Sequence, residues 1–212
     1  METIPQEDLQ AIVDEIKRRP LQTNDYRKGC GRGQSQAFGV VNRRCLPPDY
    51  SRWCWKRPYL YKLLLDFGEK WVKIPFNAIT INNNYAAAPH RDKGNVGDSF
   101  LVGCGDYEGG ELEILEGEQK GVWDIRYKAI TGNFRENLHS VKPFSGHRIS
   151  LVYYTYDTPL SLPPPRVIEK EGKLVFLRGE EEIRNGLPHP KKGKNYGRGV
   201  RGKQGLPPLP KP

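Results

Sequence analysis

His90 and Asp92 stand two residues apart in "YAAAPHRDKGN" (residues 85–95), and a second histidine, His139, follows in "ENLHSV". On an extended chain, residues two apart face the same side, so this spacing aims an imidazole and a carboxylate at one point. His139 comes 47 residues after Asp92, in a segment able to return beside it. Two imidazoles and one carboxylate on one face of an octahedron leave three positions open, which is the donor set of a non-haem Fe(II) centre. Zinc also accepts two histidines and an acid, but the H-E-x-x-H motif that often marks such a zinc site is absent from the sequence. By itself a His-x-Asp pair is weak, because such pairs arise by chance and a strand-end histidine is more often a surface residue.

Arg148 strengthens the metal reading. It lies nine residues after His139 on "HRISLVYY", whose alternation implies one buried side. A buried guanidinium requires an anion, and a bidentate carboxylate is its best match. A ligand with a carboxylate at one end and a chelating keto acid at the other would bridge Arg148 and the metal. Alone, an arginine on a solvent face beside a glutamate is the lesser reading; joined to the three ligands, it loses further ground.

Periodicity supplies the elements that must position these groups. Thr3 reads as a helix cap with Gln6 three residues later, and Leu9, Ile12, Val13 and Ile16 share one face before Pro20 stops the helix. A short helix is expected at "PYLYKLLLDFGEKW". From Ile74 onward the pattern turns to strands, at "FNAITINNNY", "SFLVGC", "GELEIL", "VWDIRYKAI" and "HRISLVYYTY", divided by glycine-rich turns. Short strands at close intervals point to a sandwich or barrel, so the expected fold is α+β, a double-stranded β-helix (jelly-roll, cupin-like) core with flanking N-terminal helices. The expected divisions are an N-terminal helix over 1–24, a basic and aromatic loop layer with a short helix over 25–72, and the catalytic core over 73–160. A C-terminal extension over 161–186 and a tail over 187–212 follow.

Composition narrows the partners. The formal charge is +9, and seven basic residues without an acid fall between Leu187 and Pro212, leaving +2 for the rest. That Pro- and Gly-rich tail reads as disordered, serving either as a phosphate-binding arm or as a solubilising segment. Residues 25–59 mix Arg and Lys with Tyr, Trp and Phe, as a backbone-tracking, base-stacking surface would; an irregular loop layer plugging the domain edge would look the same. No apolar run approaches the roughly 20 residues of a membrane span, and the polar, acidic start does not read as a signal peptide. Cys30, Cys45, Cys54 and Cys104 lack C-x-x-C spacing, which argues for reduced thiols and an intracellular, cytoplasmic or nuclear, setting.

The H-x-D pair, the later His and the Arg on the last barrel strand resemble the Fe(II)/2-oxoglutarate-dependent dioxygenases, over about residues 74–157. Within them, "HRDKGN" resembles the H-R-D-x-x-N of the TET/JBP family, which oxidises the methyl group of 5-methylcytosine or thymine in DNA. The resemblance implies Fe(II), 2-oxoglutarate and O2 as cofactors, with His90, Asp92 and His139 on the metal and Arg148 on the far carboxylate of 2-oxoglutarate. It implies that Asn95 helps hold the flipped base, with Arg91 beside it. "NNNY" is similar to the N-x-Y of AlkB-type nucleic-acid demethylases, which puts Asn83 and Tyr85 near the cosubstrate, together with Ser150. "GDYEGGEL" is similar to prolyl hydroxylase-like members and carries the superfamily alone.

If the target base must leave the stack, the basic front acquires a use. Arg27, Lys28, Arg32, Arg43 and Arg44 become backbone contacts, Phe38 and Tyr50 become stacking partners, and Tyr154 and Tyr156 form the pocket wall. The expected activity is oxidation of that methyl group to hydroxymethyl, and over repeated rounds further, by a monomer acting on methylated DNA away from any membrane. The rival readings are a protein (prolyl-type) or small-molecule hydroxylase on the same fold, and a cupin-like binding module without turnover, which would need no complete metal triad.

Overall fold

The structure, a computed structural model, describes residues 1–22, 33–43, 46–157, 162 and 165–183. Its frame is a seven-stranded antiparallel sheet built from β1 (Glu2–Thr3), β2 (Gln34–Arg43), β3 (Leu46–Tyr50), β4 (Ala78–Asn83), β5 (Asn95–Gly109), β8 (Lys128–Gly132) and β10 (Phe144–Tyr156). The strands run in the order β1-β8-β5-β10-β4-β2-β3. Facing it is a small sheet of β7 (Gly121–Trp123), β6 (Leu112–Ile114) and β9 (His139–Val141). Leu101 and Ile130 of the large sheet pack with Leu112 and Ile114 of the small one, so the two sheets share an inner core.

The large sheet is covered on its other face by α1 (Gln6–Arg18) and α3 (Pro58–Trp71), with the single turn α2 (Trp53–Lys56) between. Alternation along β10 sorts its side chains. Ile149, Leu151 and Tyr153 enter the core under the helices, while Arg148, Ser150, Val152 and Tyr154 line the space between the sheets. The α1 face read from the sequence is the buried one, with Leu9, Ile12, Val13 and Ile16 all inside.

Several expectations need correction. Thr3 does not cap α1; it pairs with Lys128 in β1, and Pro5 occupies the cap position without a side-chain bond. The segment read as a loop layer contains β2 and β3, because Gln34–Gly39 pairs along β4 and extends the large sheet. Phe38, expected to stack on a base, is 0% exposed and stacks on Tyr61 of α3 at 5.8 Å. Tyr50 is likewise buried, edge-on to Phe176. Both are core residues: β2 turns Phe38 toward α3, and Tyr50, the last residue of β3, joins the same cluster.

The C-terminal extension forms a third sheet of β11 (Pro165–Lys170), β12 (Lys173–Arg178) and β13 (Glu181–Ile183). Its Phe176 docks on Tyr50, Trp55 and Tyr61. The hairpin between β11 and β12 turns at Glu171 and Gly172, both in the left-handed region (φ 53° and 68°) as a type I′ turn requires. Arg27, Lys28, Arg32, Arg44 and the 187–212 tail lie outside the described residues, as does the side chain of Arg43. Among the described residues, no helix is long and apolar enough to cross a membrane.

Candidate metal centre and cavity

His90, Asp92 and His139 converge as the sequence spacing suggested. One ligand atom from each falls within 4.8 Å of the other two, and no other such group of His, Cys, Asp and Glu exists among the described residues. The convergence is made by the backbone. His90 N–H donates to His139 O at 2.9 Å, His139 N–H returns to His90 O at 3.0 Å, and Asp92 N–H donates to Phe134 O at 2.9 Å. The imidazole centroids are consequently 4.3 Å apart.

Both rings are oriented in the same manner. His90 Nδ1 is 2.9 Å from Ala88 O and His139 Nδ1 is 3.0 Å from Asn137 O, so each Nδ1 carries the proton and turns Nε2 to the centre. His90 Nε2 lies 3.5 Å from Asp92 Oδ1. Burial lowers the His139 pKa, with the neighbouring His90 adding to the shift and the Asn137 carbonyl and Asp92 opposing it. A neutral ring is the form that binds a metal. Two imidazoles and one carboxylate, gathered at one rim of a cavity, fit a six-coordinate Fe(II) ion with positions to spare.

The centre opens on a cavity of about 630 Å³, within the size range of small-ligand sites. Arg148 is on its inner wall and 1% exposed. Its Nε donates to Gly110 O at 3.0 Å and one terminal nitrogen reaches Ser150 Oγ at 3.5 Å. The guanidinium lies 5.5 Å from the Tyr107 ring and 5.7 Å from Phe144. No carboxylate forms an ion pair with it among the described residues. Burial pulls its pKa down from the usual arginine value, with Tyr107, Cys104 and Glu111 opposing the shift; an arginine keeps its proton, so the direction registers the cost of burying the charge.

Of the residues expected near the cosubstrate, Tyr85 and Ser150 line the cavity and Asn83 does not. Asn83 faces the other side of the sheet and donates to Gln34 Oε1 at 2.9 Å. The cavity takes Asn82 instead, opposite Ser150 in the register, along with Thr80. The N-x-Y spacing fails because Asn84 adopts φ 50°, which breaks the two-residue alternation between Asn83 and Tyr85. Asn95, Arg91, Tyr154 and Tyr156 also line the cavity, so the structure brings them to the same space as the metal ligands. Arg91 is exposed at the rim and pairs with Glu116.

Three supporting residues escaped the sequence reading. Asn84 receives the Arg148 N–H on its side chain at 2.8 Å. Gly110, at φ 71°, is needed because a Cβ there would stand 2.8 Å from Arg148 Cδ and Nε. Tyr107 lies beside the Arg148 guanidinium and sends its hydroxyl over Gly103, where a Cβ would meet it at 2.5 Å. That hydroxyl is buried without a hydrogen-bond partner, and burial pushes its pKa up to about 12. The glycines of "GDYEGGEL" and "FLVGC" were the available signal, since small residues flanking an aromatic on a strand mark close approach.

No family model matches the sequence, and no curated protein matches it either. Solved structures do. The chain is similar to NgTET1 in complex with 5mC DNA, at 15% identity over 73% of this chain and 69% of that one, with a TM-score of 0.50. It also resembles an oxidoreductase of the 2OG-Fe(II) oxygenase family from Burkholderia pseudomallei, at 17% identity over 68% and 75% with a TM-score of 0.47. A Pseudomonas putida prolyl-4-hydroxylase matches at 15% identity over 74% and 90%, again with a TM-score of 0.47. The first of these likenesses agrees with the paired sheets and the buried cavity between them: the chain has the double-stranded β-helix fold.

Proposed function

We propose that this chain is an Fe(II)/2-oxoglutarate-dependent oxygenase whose substrate is a 5-methylpyrimidine in DNA. The observation that carries the reading is Arg148, a guanidinium 1% exposed, without an ion-paired carboxylate among the described residues, on the wall of the cavity that opens on His90, Asp92 and His139. A buried cation of this kind calls for an anionic ligand, and a keto diacid satisfies cation and metal together.

His90, Asp92 and His139 would hold the iron, which when bound supplies oxidative decarboxylation of the keto acid coupled to hydroxylation of a C–H bond. The chain's own residues do the rest. Arg148, steadied by Gly110 O and flanked by Tyr107 and Phe144, fixes the far carboxylate. Ser150 and Asn82 offer polar contacts along the cosubstrate, and Leu101, Ile125 and Val152 keep the interior dry.

Three features support DNA as the substrate. The remaining cavity is walled by Tyr154 and Tyr156, whose rings suit a planar base. Lys93 and Arg91 stand exposed beside the ligand loop, where phosphates would pass. The "HRDKGN" run matches the TET/JBP pattern, and NgTET1 has been captured with 5mC DNA. The test is incubation with DNA carrying 5-methylcytosine or thymine, Fe(II) and 2-oxoglutarate, followed by mass spectrometry of nucleosides. Hydroxymethyl product supports the reading; succinate formation dependent on a peptide, with no change in any nucleoside, overturns the DNA part.

A further inference from the structure

We infer that Asn95 is a positioning residue for the metal-binding carboxylate: it holds Asp92 Oδ2 and thereby leaves Oδ1 to the metal. The inference rests on the metal-centre reading above. It gives Asn95 a different part from the base contact that the family resemblance implies.

Asn95 is the first residue of β5 and is 5% exposed. Its Nδ2 donates to Ser99 Oγ at 3.0 Å and reaches Asp92 Oδ2 at 3.4 Å. Its backbone N–H donates to Asp92 O at 3.0 Å, closing the turn 92–95. Arg135 donates to Asn95 O at 3.0 Å from the opposite side. The turn is therefore fastened at both ends, by Phe134 O on the Asp92 N–H and by Arg135 on the Asn95 carbonyl.

The amide's orientation follows from its partners. A primary amide has two N–H donors on one atom and an acceptor on the other. An ionised carboxylate can only accept hydrogen bonds, so an amide oxygen turned toward it would be repelled. Nδ2 must then face Asp92, with Ser99 taking the second hydrogen. With Oδ2 held by the amide, Asp92 is turned to present Oδ1 to the ion. Oδ1, 3.5 Å from His90 Nε2, is the oxygen that belongs to the ligand cluster. A single-oxygen carboxylate keeps coordination positions available, and partners of this kind typically influence metal affinity about 10–100-fold.

The test measures Mn(II) binding to the metal-free chain by calorimetry, without cosubstrate or DNA, alongside the visible spectrum of the Co(II) form. Asn95→Leu, close in shape but without a donor, is expected to weaken Mn(II) by about 10-fold or more and to change the Co(II) spectrum. The melting temperature of the metal-free protein reports on the fold. Should Asn95→Leu not fold, Ser99→Ala removes the neighbour that orients the amide and is expected to weaken Mn(II) several-fold. Mn(II) affinity within about twofold of wild type in every folded variant overturns the inference. So does an effect of Asn95→Leu confined to the KM for methylated DNA, which would make Asn95 a substrate contact. Wild-type protein that binds no Mn(II) overturns the metal-centre reading itself, a result seen before any substitution is made.

Discussion

Asn84, the residue just past β4, and Arg148 of β10 grip each other. Asn84 N–H donates to Arg148 O at 2.7 Å, and Arg148 N–H donates to Asn84 Oδ1 at 2.8 Å. The residue that breaks the alternation of β4 thus also fixes the backbone of the buried arginine. Asn84→Gly keeps access to positive φ but loses the side-chain acceptor, and is expected to cost about 1 kcal/mol of stability. Asn84→Val must also strain at φ 50° and should cost about 1–3 kcal/mol more. Urea titration of both variants checks the order.

Arg148→Met separates binding from stability. The side chain gives up a buried charge that has no ion-paired carboxylate among the described residues while keeping most of its volume, so the melting temperature of the ligand-free protein should hold or rise. Affinity for 2-oxoglutarate should fall by about 2–5 kcal/mol, the usual loss when one partner of a desolvated charge pair is removed. Calorimetry with 2-oxoglutarate and Mn(II) measures it; an unaltered affinity would remove Arg148 from the cosubstrate site.

The three ligands should differ in stability while agreeing in function. His90→Ala, Asp92→Ala and His139→Ala are each expected to abolish metal-dependent succinate production. His90 has a 43% exposed side chain, so its loss should scarcely move the melting temperature. His139 is 4% exposed and packs edge-on to Phe134 at 4.9 Å, so His139→Ala should be measurably less stable.

Phe38→Ala tests the reassignment of that residue from substrate contact to core. A fully buried phenylalanine replaced by alanine typically costs about 3–5 kcal/mol. The KM for DNA, measured below the new melting transition, should stay at the wild-type value; a raised KM with normal stability would return Phe38 to the substrate.

Cys54 and Cys104 are buried, and burial pushes each thiol up to about 12. Their folded pKa values lie above the ordinary thiol range, so both stay protonated at pH 8. Neither should react with a maleimide in the native protein, whereas both should react in denaturant. Peptide mapping after labelling reads this directly.

Much of the site was legible because it obeys spacing rules. His90 and Asp92 are two apart before a strand, and Arg148 heads an alternating apolar run, so local pattern and chemistry agreed. What was not legible came from departures from alternation. Asn84 at positive φ exchanged Asn82 for Asn83 in the cavity, and nothing in "NNNY" announces which asparagine turns. The β2 strand was hidden because its register is written in the tertiary pairing with β4, while its own sequence mixes glycine, polar and aromatic residues. The C-terminal meander could have been found, since "KEGK" between two alternating stretches is a hairpin signature.

The reciprocal backbone bonds between His90 and His139 bear on how the protein behaves without metal. An ion bridging two distant ligands usually acts as a staple, and its binding free energy goes partly into closing the intervening loop. Here the loop from 90 to 139 is already closed by two hydrogen bonds at the ligands themselves. Little of a bound ion's free energy would then go into closing that loop, although binding would still raise stability by mass action. The empty chain should accordingly keep its shape through chelation and accept one divalent ion after another without refolding.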